Sequence, residues 1–124
     1  MGYKSIEGNE MDYFLDAYRQ FTNFQGRASR KQYWMFYLFY VIFYIMFAVL
    51  DDLLQTGGLF MALFALVSIL PNIAIVTRRL HDIDKSGWWQ LLIFIPIIGA
   101  IVLLVFLVMK GTEGENRFGS VPLN

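Results

Sequence analysis

Between residues 78 and 89 the chain reads Arg78-Arg79-Leu80-His81-Asp82-Ile83-Asp84-Lys85-Ser86-Gly87-Trp88-Trp89. Cations, carboxylates and the one imidazole of the sequence stand together there. Arg78, Arg79 and Lys85 have the charge and donor geometry that recognise phosphate, so the first expectation is an anionic lipid-headgroup site. On a helix Arg78 and Asp82 would be i,i+4 partners. His81 and Asp82 are adjacent, and adjacent helical residues do not face each other, so a catalytic His–Asp pairing is not expected. Ser86 or Asp84 can cap a following helix that Trp88 and Trp89 anchor at the headgroups. The competing reading of the segment is an orientation-and-anchoring loop without a ligand.

A second candidate set is uncharged. Tyr37 and Tyr40 fall on one stripe of an apolar run, and Ser68 and Asn72 lie in another at similar depth. Pro71 withdraws a backbone donor and frees the Val67 carbonyl, and Pro96 does the same for Leu92. These features predict a shallow polar pocket lined by Tyr37, Tyr40, Ser68 and Asn72, against the alternative that the prolines only adjust helix packing. Other chemistry is excluded more firmly. There is no Cys and one His, so neither a thiolate nor a multi-His metal site is expected. No hydrolase, phosphate-loop or zinc-protease motif occurs, which predicts neither cofactor nor enzymatic activity. Ten Lys+Arg balance ten Asp+Glu, which argues against nucleic acid as a partner.

The elements that position these residues follow from the apolar runs. In 124 residues, 57% hydrophobic and 16% charged, residues 33–50, 58–77 and 88–109 contain no Asp, Glu, Lys or Arg. As helices they reach roughly 27, 30 and 33 Å, against about 30 Å of bilayer hydrocarbon. The expectation is an all-α polytopic membrane protein with three transmembrane helices. An amphipathic interfacial helix over about 10–22 precedes them, with Met11, Phe14, Leu15, Tyr18 and Phe21 on its apolar side. Ser29 and Gln32 match a capping box at the start of the first span. Residues 1–9 show no periodicity and are expected to be mobile, leaving 10–122 as a single integral membrane domain. Arg19, Arg27, Arg30 and Lys31 precede the first span and Arg78, Arg79 and Lys85 fill the second connection, while residues 51–57 carry two Asp and no cation. The positive-inside rule therefore puts the N-terminus in the cytoplasm. Three crossings place the C-terminus outside. Pro96 and Gly99 leave open a re-entrant third segment, which would return the glycine-rich tail to the cytoplasm. There it could fold onto the 78–85 loop and let Glu113 or Glu115 pair with an arginine.

Three motifs in order carry a family likeness. They are Gly26-Arg27-Ala28-Ser29-Arg30-Lys31-Gln32-Tyr33-Trp34, then Arg78-Arg79-Leu80-His81-Asp82 with Ser86-Gly87-Trp88-Trp89, then Gly111-Thr112-Glu113-Gly114-Glu115-Asn116-Arg117-Phe118-Gly119. From Met11 to Pro122 the chain resembles the bacterial inner-membrane domain-of-unknown-function family 805. The resemblance implies a small protein of the bacterial plasma membrane and brings no activity, substrate, cofactor or catalytic residue. The motif residues it marks are Gly26, Arg27, Arg30, Trp34, Arg79, Leu80, His81, Asp82, Ser86, Gly87, Trp88, Gly111, Asn116 and Gly119. Asp84 and Lys85 fall where the family varies, so the role given to Lys85 rests on its charge. The function expected is an interaction, assembly or envelope-maintenance factor that touches anionic lipid through residues 78–85. Three helices bury little surface alone, so a homo-oligomer or a larger membrane partner is expected. The alternative is an oligomeric small-solute transporter or channel.

Overall fold

A computed structural model describes residues 9–122; the mobile segment expected over 1–9 lies, but for Asn9, outside the described residues. Among these the regular structure is helical: α1 (Met11–Arg19), α2 (Arg30–Leu54), α3 (Leu59–Asp82), a 3-10 helix (Gly87–Phe94) and α4 (Ile98–Val108). An isolated bridge joins Asn116 to Gly119 in the tail.

α1 buries Tyr13, Phe14 and Ala17, with Met11 and Tyr18 half-buried against the core, whereas Leu15 and Phe21, also expected on its apolar side, are exposed and Phe21 lies beyond the helix. The Phe14 ring stacks on Phe36 and Phe43 of α2, at centroid distances of 5.9 and 5.0 Å. The Tyr18 hydroxyl pairs with Ser68 Oγ on α3. α1 stops short of the expected residue 22 because Asn23 turns the chain, its N–H and its side-chain amide both donating to Gln20. Gly26 then takes φ +84°, a value that suits a residue without Cβ.

α2 starts on the expected capping box: Ser29 Oγ accepts from the Gln32 amide at 3.1 Å, and Gln32 Oε1 accepts from the Ser29 amide at 2.9 Å. The helix runs past residue 50, so Asp51 and Asp52 are helical rather than part of the connection. Asp51 reaches across the turn and accepts from the Phe60 and Met61 amides, both at 2.9 Å. α3 begins at a Gly58 that has no side chain to cap it, and this borrowed carboxylate takes the orphan donors and meets the positive end of the helix dipole. Of the most apolar windows of α2 and α3 only 11% and 22% is buried, whereas the core helix of a water-soluble fold is mostly buried. Both helices are long and apolar enough to cross a membrane.

The third apolar run departs from expectation. Residues 88–109 do not form one helix. The 3-10 helix ends at Phe94, the chain reverses over Ile95–Ile97, and α4 returns. At the tip the Ile98 amide donates to Pro96 O at 2.7 Å across Ile97, whose φ of +64° and ψ of −66° make a γ-turn of the strained kind. The Leu92 carbonyl, expected to be freed by Pro96, accepts from the Ile95 amide at 2.9 Å. The limbs meet at Gly99, where a Cβ would stand 1.8 Å from Leu92 O. Eight residues of 3-10 helix reach about 16 Å and eleven of α-helix about 16 Å, roughly half the hydrocarbon thickness. Both ends of this hairpin lie at the last turn of α3. Lys85 N–H donates to Leu80 O at 3.0 Å before it, and Thr112 N–H to Asp82 O at 2.7 Å after it.

Candidate functional site: a buried arginine–aspartate clamp

Helix α3 continues past Thr77 to Asp82, so the charged motif forms its last turn rather than a loop. Asp82 faces inward, where each carboxylate oxygen meets a different guanidinium. Arg27 Nε donates to Oδ1 at 2.9 Å and Arg79 Nη1 to Oδ2 at 2.8 Å. The Arg79 side chain is 0% exposed, that of Arg27 1% and that of Asp82 6%. Charges removed from water to this degree need their remaining hydrogen bonds satisfied. Backbone carbonyls supply them. Arg79 donates through Nε to Leu107 O at 3.1 Å, through Nη1 to Ala28 O at 3.3 Å, and through Nη2 to Met109 O. Arg27 donates through Nη1 to Gly114 O at 2.7 Å and Gly119 O at 3.1 Å, and through Nη2 to Thr112 O at 2.6 Å.

The two arginines thus hold different segments. Arg79 takes the last carbonyls of α4, helped by Trp34 Nε1 at 3.1 Å from Leu107 O, and its charge suits a helix C-terminus. Arg27 gathers residues 112–119 into a loop around its guanidinium. The glycines of the tail answer to this geometry. A Cβ on Gly111 would stand 2.1 Å from Asp82 Oδ2; outside the tail, one on Gly87 at the start of the 3-10 helix would stand 2.7 Å from Thr77 Cγ2. Gly119 has φ +124° where the tail closes on Asn116. Asn116 Nδ2 donates to His81 O at 3.0 Å, which fixes the tail to α3 directly.

The expected pairings are rearranged. Arg78 does not reach Asp82; its Nη1 donates to Asn23 O at 2.6 Å and Gln20 O at 3.2 Å, which ties the α1–α2 turn to α3. His81 likewise turns from Asp82: Nδ1 lies 2.9 Å from Gly26 O, and the ring stacks on Phe118 at 3.8 Å and 3°. The tail folds onto the 78–85 segment, but neither Glu113 nor Glu115 meets an arginine. Glu113 pairs with Lys110 at 3.4 Å, and the arginine of the tail, Arg117, pairs with Asp84 at 3.2 Å. Ser86 precedes the 3-10 helix without a side-chain capping bond. Arg30 is exposed at the first turn of α2.

Arg78, Arg79 and Lys85 do not form one cluster. Arg78 and Arg79 point into the protein at the end of α3, whereas Lys85 is half-buried against the hairpin, with Nζ 5.4 Å from the Trp89 ring centre and 4.9 Å from that of Phe106. The polar set in the helices is also divided. Ser68 is fully buried against Tyr18, a residue the sequence had placed only on the apolar side of α1. Asn72 Nδ2 turns back to Ser68 O at 2.8 Å, and Tyr40 stacks on Phe64 at 5.2 Å. Tyr37 is 42% exposed and stacks on Tyr33. A cleft of about 860 Å³ does exist, but beside the clamp, between α1, the 20–28 turn and the end of the tail. No group of three or more metal-ligating side chains is present among the described residues.

Sequence reasoning missed Arg27 as a partner of Asp82 and the carbonyls of the tail as partners of Arg27. The only signal was the recurrence of Gly26-Arg27, Arg79-Leu80-His81-Asp82 and Gly111 in one likeness, which names residues without saying that they touch.

The comparisons agree with that likeness. A family model described as a protein of unknown function, DUF805, matches residues 21–120. Inner membrane protein YhaH of Escherichia coli K12 is 43% identical over 117 residues, covering 90% of this chain and 97% of the relative. Inner membrane protein YhaI of the same strain is 42% identical over 113 residues, covering 90% and 96%. YiiR, also of that strain, is 27% identical over 124 residues, covering 78% and 84%. No solved structure matches.

Proposed function

The chain belongs to the DUF805 family of inner-membrane proteins, and we propose that it serves there as a small interaction or assembly factor rather than as an enzyme. In this reading α2 and α3 cross the bilayer, and the 3-10 helix and α4 enter and leave through the cytoplasmic leaflet. Both termini are cytoplasmic. α1 lies at that interface, with Tyr13, Phe14 and Ala17 turned to the protein and Leu15 exposed.

One observation carries the reading: of the charged residues in the family motif, Arg27, Arg79 and Asp82 are consumed inside the chain, and Arg30 is exposed at the first turn of α2. Arg27, Asp82 and Arg79 satisfy one another and the carbonyls of α4 and the tail. An acid, base or anion site needs at least one such group left for a substrate. What the molecule offers its surroundings is apolar helix surface and a polar end whose buried charges are paired within the chain, the attributes of a part that works by contact. Ser68 and Asn72, which would line the path of a transporter, bond within the chain, and this favours contact over the transport alternative.

Reporter fusions test the topology. A fluorescent protein should fluoresce at either terminus, and alkaline phosphatase should be active only when inserted near Gly57. Phosphatase activity at the C-terminus would overturn the re-entrant hairpin. Native mass spectrometry from membrane extracts tests the interaction, with retained copies or a retained partner expected. A bare monomer under conditions that keep the fold intact would count against it.

A further inference from the structure

We propose that the base of the re-entrant hairpin binds one anionic glycerophospholipid, with its phosphate on Lys85 and one acyl chain along the neighbouring groove. The proposal rests on the reading of the hairpin as inserted in the cytoplasmic leaflet. Lys85 is held between the two limbs, its ammonium against Trp89 of the 3-10 helix and Phe106 of α4. Cation–π contact fixes its position without neutralising it. The nearest carboxylate in sequence, Asp84, is already taken: Arg117 Nε donates to its side chain at 3.2 Å and Nη2 to its carbonyl at 2.9 Å. One positive charge is therefore left where the hairpin meets the headgroups. Ser86 beside it has a hydroxyl that makes no capping bond and can donate to the same phosphate.

Immediately inward lies a groove of about 290 Å³ lined by Trp88, Trp89, Leu91, Leu92, Ile95 and Ser86. Its walls are apolar but for Ser86 at the mouth, and Trp88 is 77% exposed along it. Tryptophan at the headgroup level, a fixed cation and an apolar slot running toward the bilayer centre match the parts of a phospholipid in order. Charge complementarity selects an anionic headgroup over a zwitterionic one.

Tryptophan quenching tests this with phosphatidylglycerol and phosphatidylcholine brominated on their acyl chains, using the full-length chain in bilayers of the two lipids. A Trp34→Phe background leaves Trp88 and Trp89 as the indoles and is used once amide exchange in α4 matches the parent, because Trp34 donates to Leu107 O. Brominated phosphatidylglycerol should quench with about fivefold preference, the size expected of one lysine at an anionic surface. Lys85→Gln should bring the preference close to one. Lys31→Gln should leave it in place, because Lys31 lies away from the hairpin with Nζ 5.4 Å from the Tyr13 ring. Equal quenching by both lipids, or an equal loss on Lys31→Gln, would overturn the site while leaving the hairpin inserted. If neither lipid quenches, the inserted hairpin itself fails and the site with it. Retention of phosphatidylglycerol over phosphatidylcholine by the unmodified chain in native mass spectrometry supplies a readout independent of the Trp34 substitution, and no excess retention would count against the proposal.

Discussion

Asp82 is one carboxylate between two guanidinium groups, so its loss is not the loss of one pair. Asp82→Asn leaves Arg27 and Arg79 buried without a counter-charge, and breaking a buried pair in this way costs about 3–5 kcal/mol. Unfolding in detergent should show a drop of that size. Arg117→Ala, at a pair whose side chains are 61% and 47% exposed, should cost no more than about 1 kcal/mol. Arg79→Lys should not rescue the clamp, because an ammonium lacks the planar fork that reaches Leu107 O, Ala28 O and Asp82 together. Gly111→Ala should destabilise by about 1–3 kcal/mol through overpacking against the Asp82 carboxylate, measured in the same unfolding assay. The local chemistry of this network was partly legible. The Ser29–Gln32 capping box is a spacing of three residues, and the structure forms it as read. The Arg27–Asp82 pair spans 55 residues, and no local periodicity records a contact made only when two helix ends meet.

Apolar length gave the positions of α2 and α3, because a run without charge that spans a bilayer has few other uses. It failed on the third run for a reason that hydropathy does not contain. A short helix in an apolar setting needs its last carbonyls satisfied. Arg79 and Trp34, both far away in sequence, take the Leu107 carbonyl and make so short a helix tenable. Pro96 and Gly99 marked the place of the break, but only the close approach of Gly99 to Leu92 O distinguishes a reversal from a kink. Gly99→Ala should therefore force the limbs apart. Paired cysteines introduced at Leu92 and Ile98 should cross-link with different efficiency in that variant and in the parent, and no difference would mean the contact is dispensable. The aspartate of the first span was read as part of a turn for a similar reason. A helix that borrows its cap from the preceding helix has no cap in its own sequence, and Asp51→Ala should fray the start of α3, visible as faster amide exchange at Phe60 and Met61.

At the scale of the whole molecule, composition placed the chain in a membrane, and the family it belongs to agrees. Partners left no mark in composition, since contact surfaces between apolar helices resemble surfaces that face lipid. Truncation after Lys110 should separate the two halves of the design. The α2–α3 hairpin should still insert, while Arg27 loses the carbonyls of Thr112, Gly114 and Gly119 and protease should cut the 20–28 turn more readily. Those carbonyls lie 85 to 92 positions beyond Arg27. During synthesis, then, Arg27 must wait in water until the segment that carries them has been made. The clamp closes only after the intervening helices have been made, so this polar end of the fold is assembled late although Arg27 is made well before its partners.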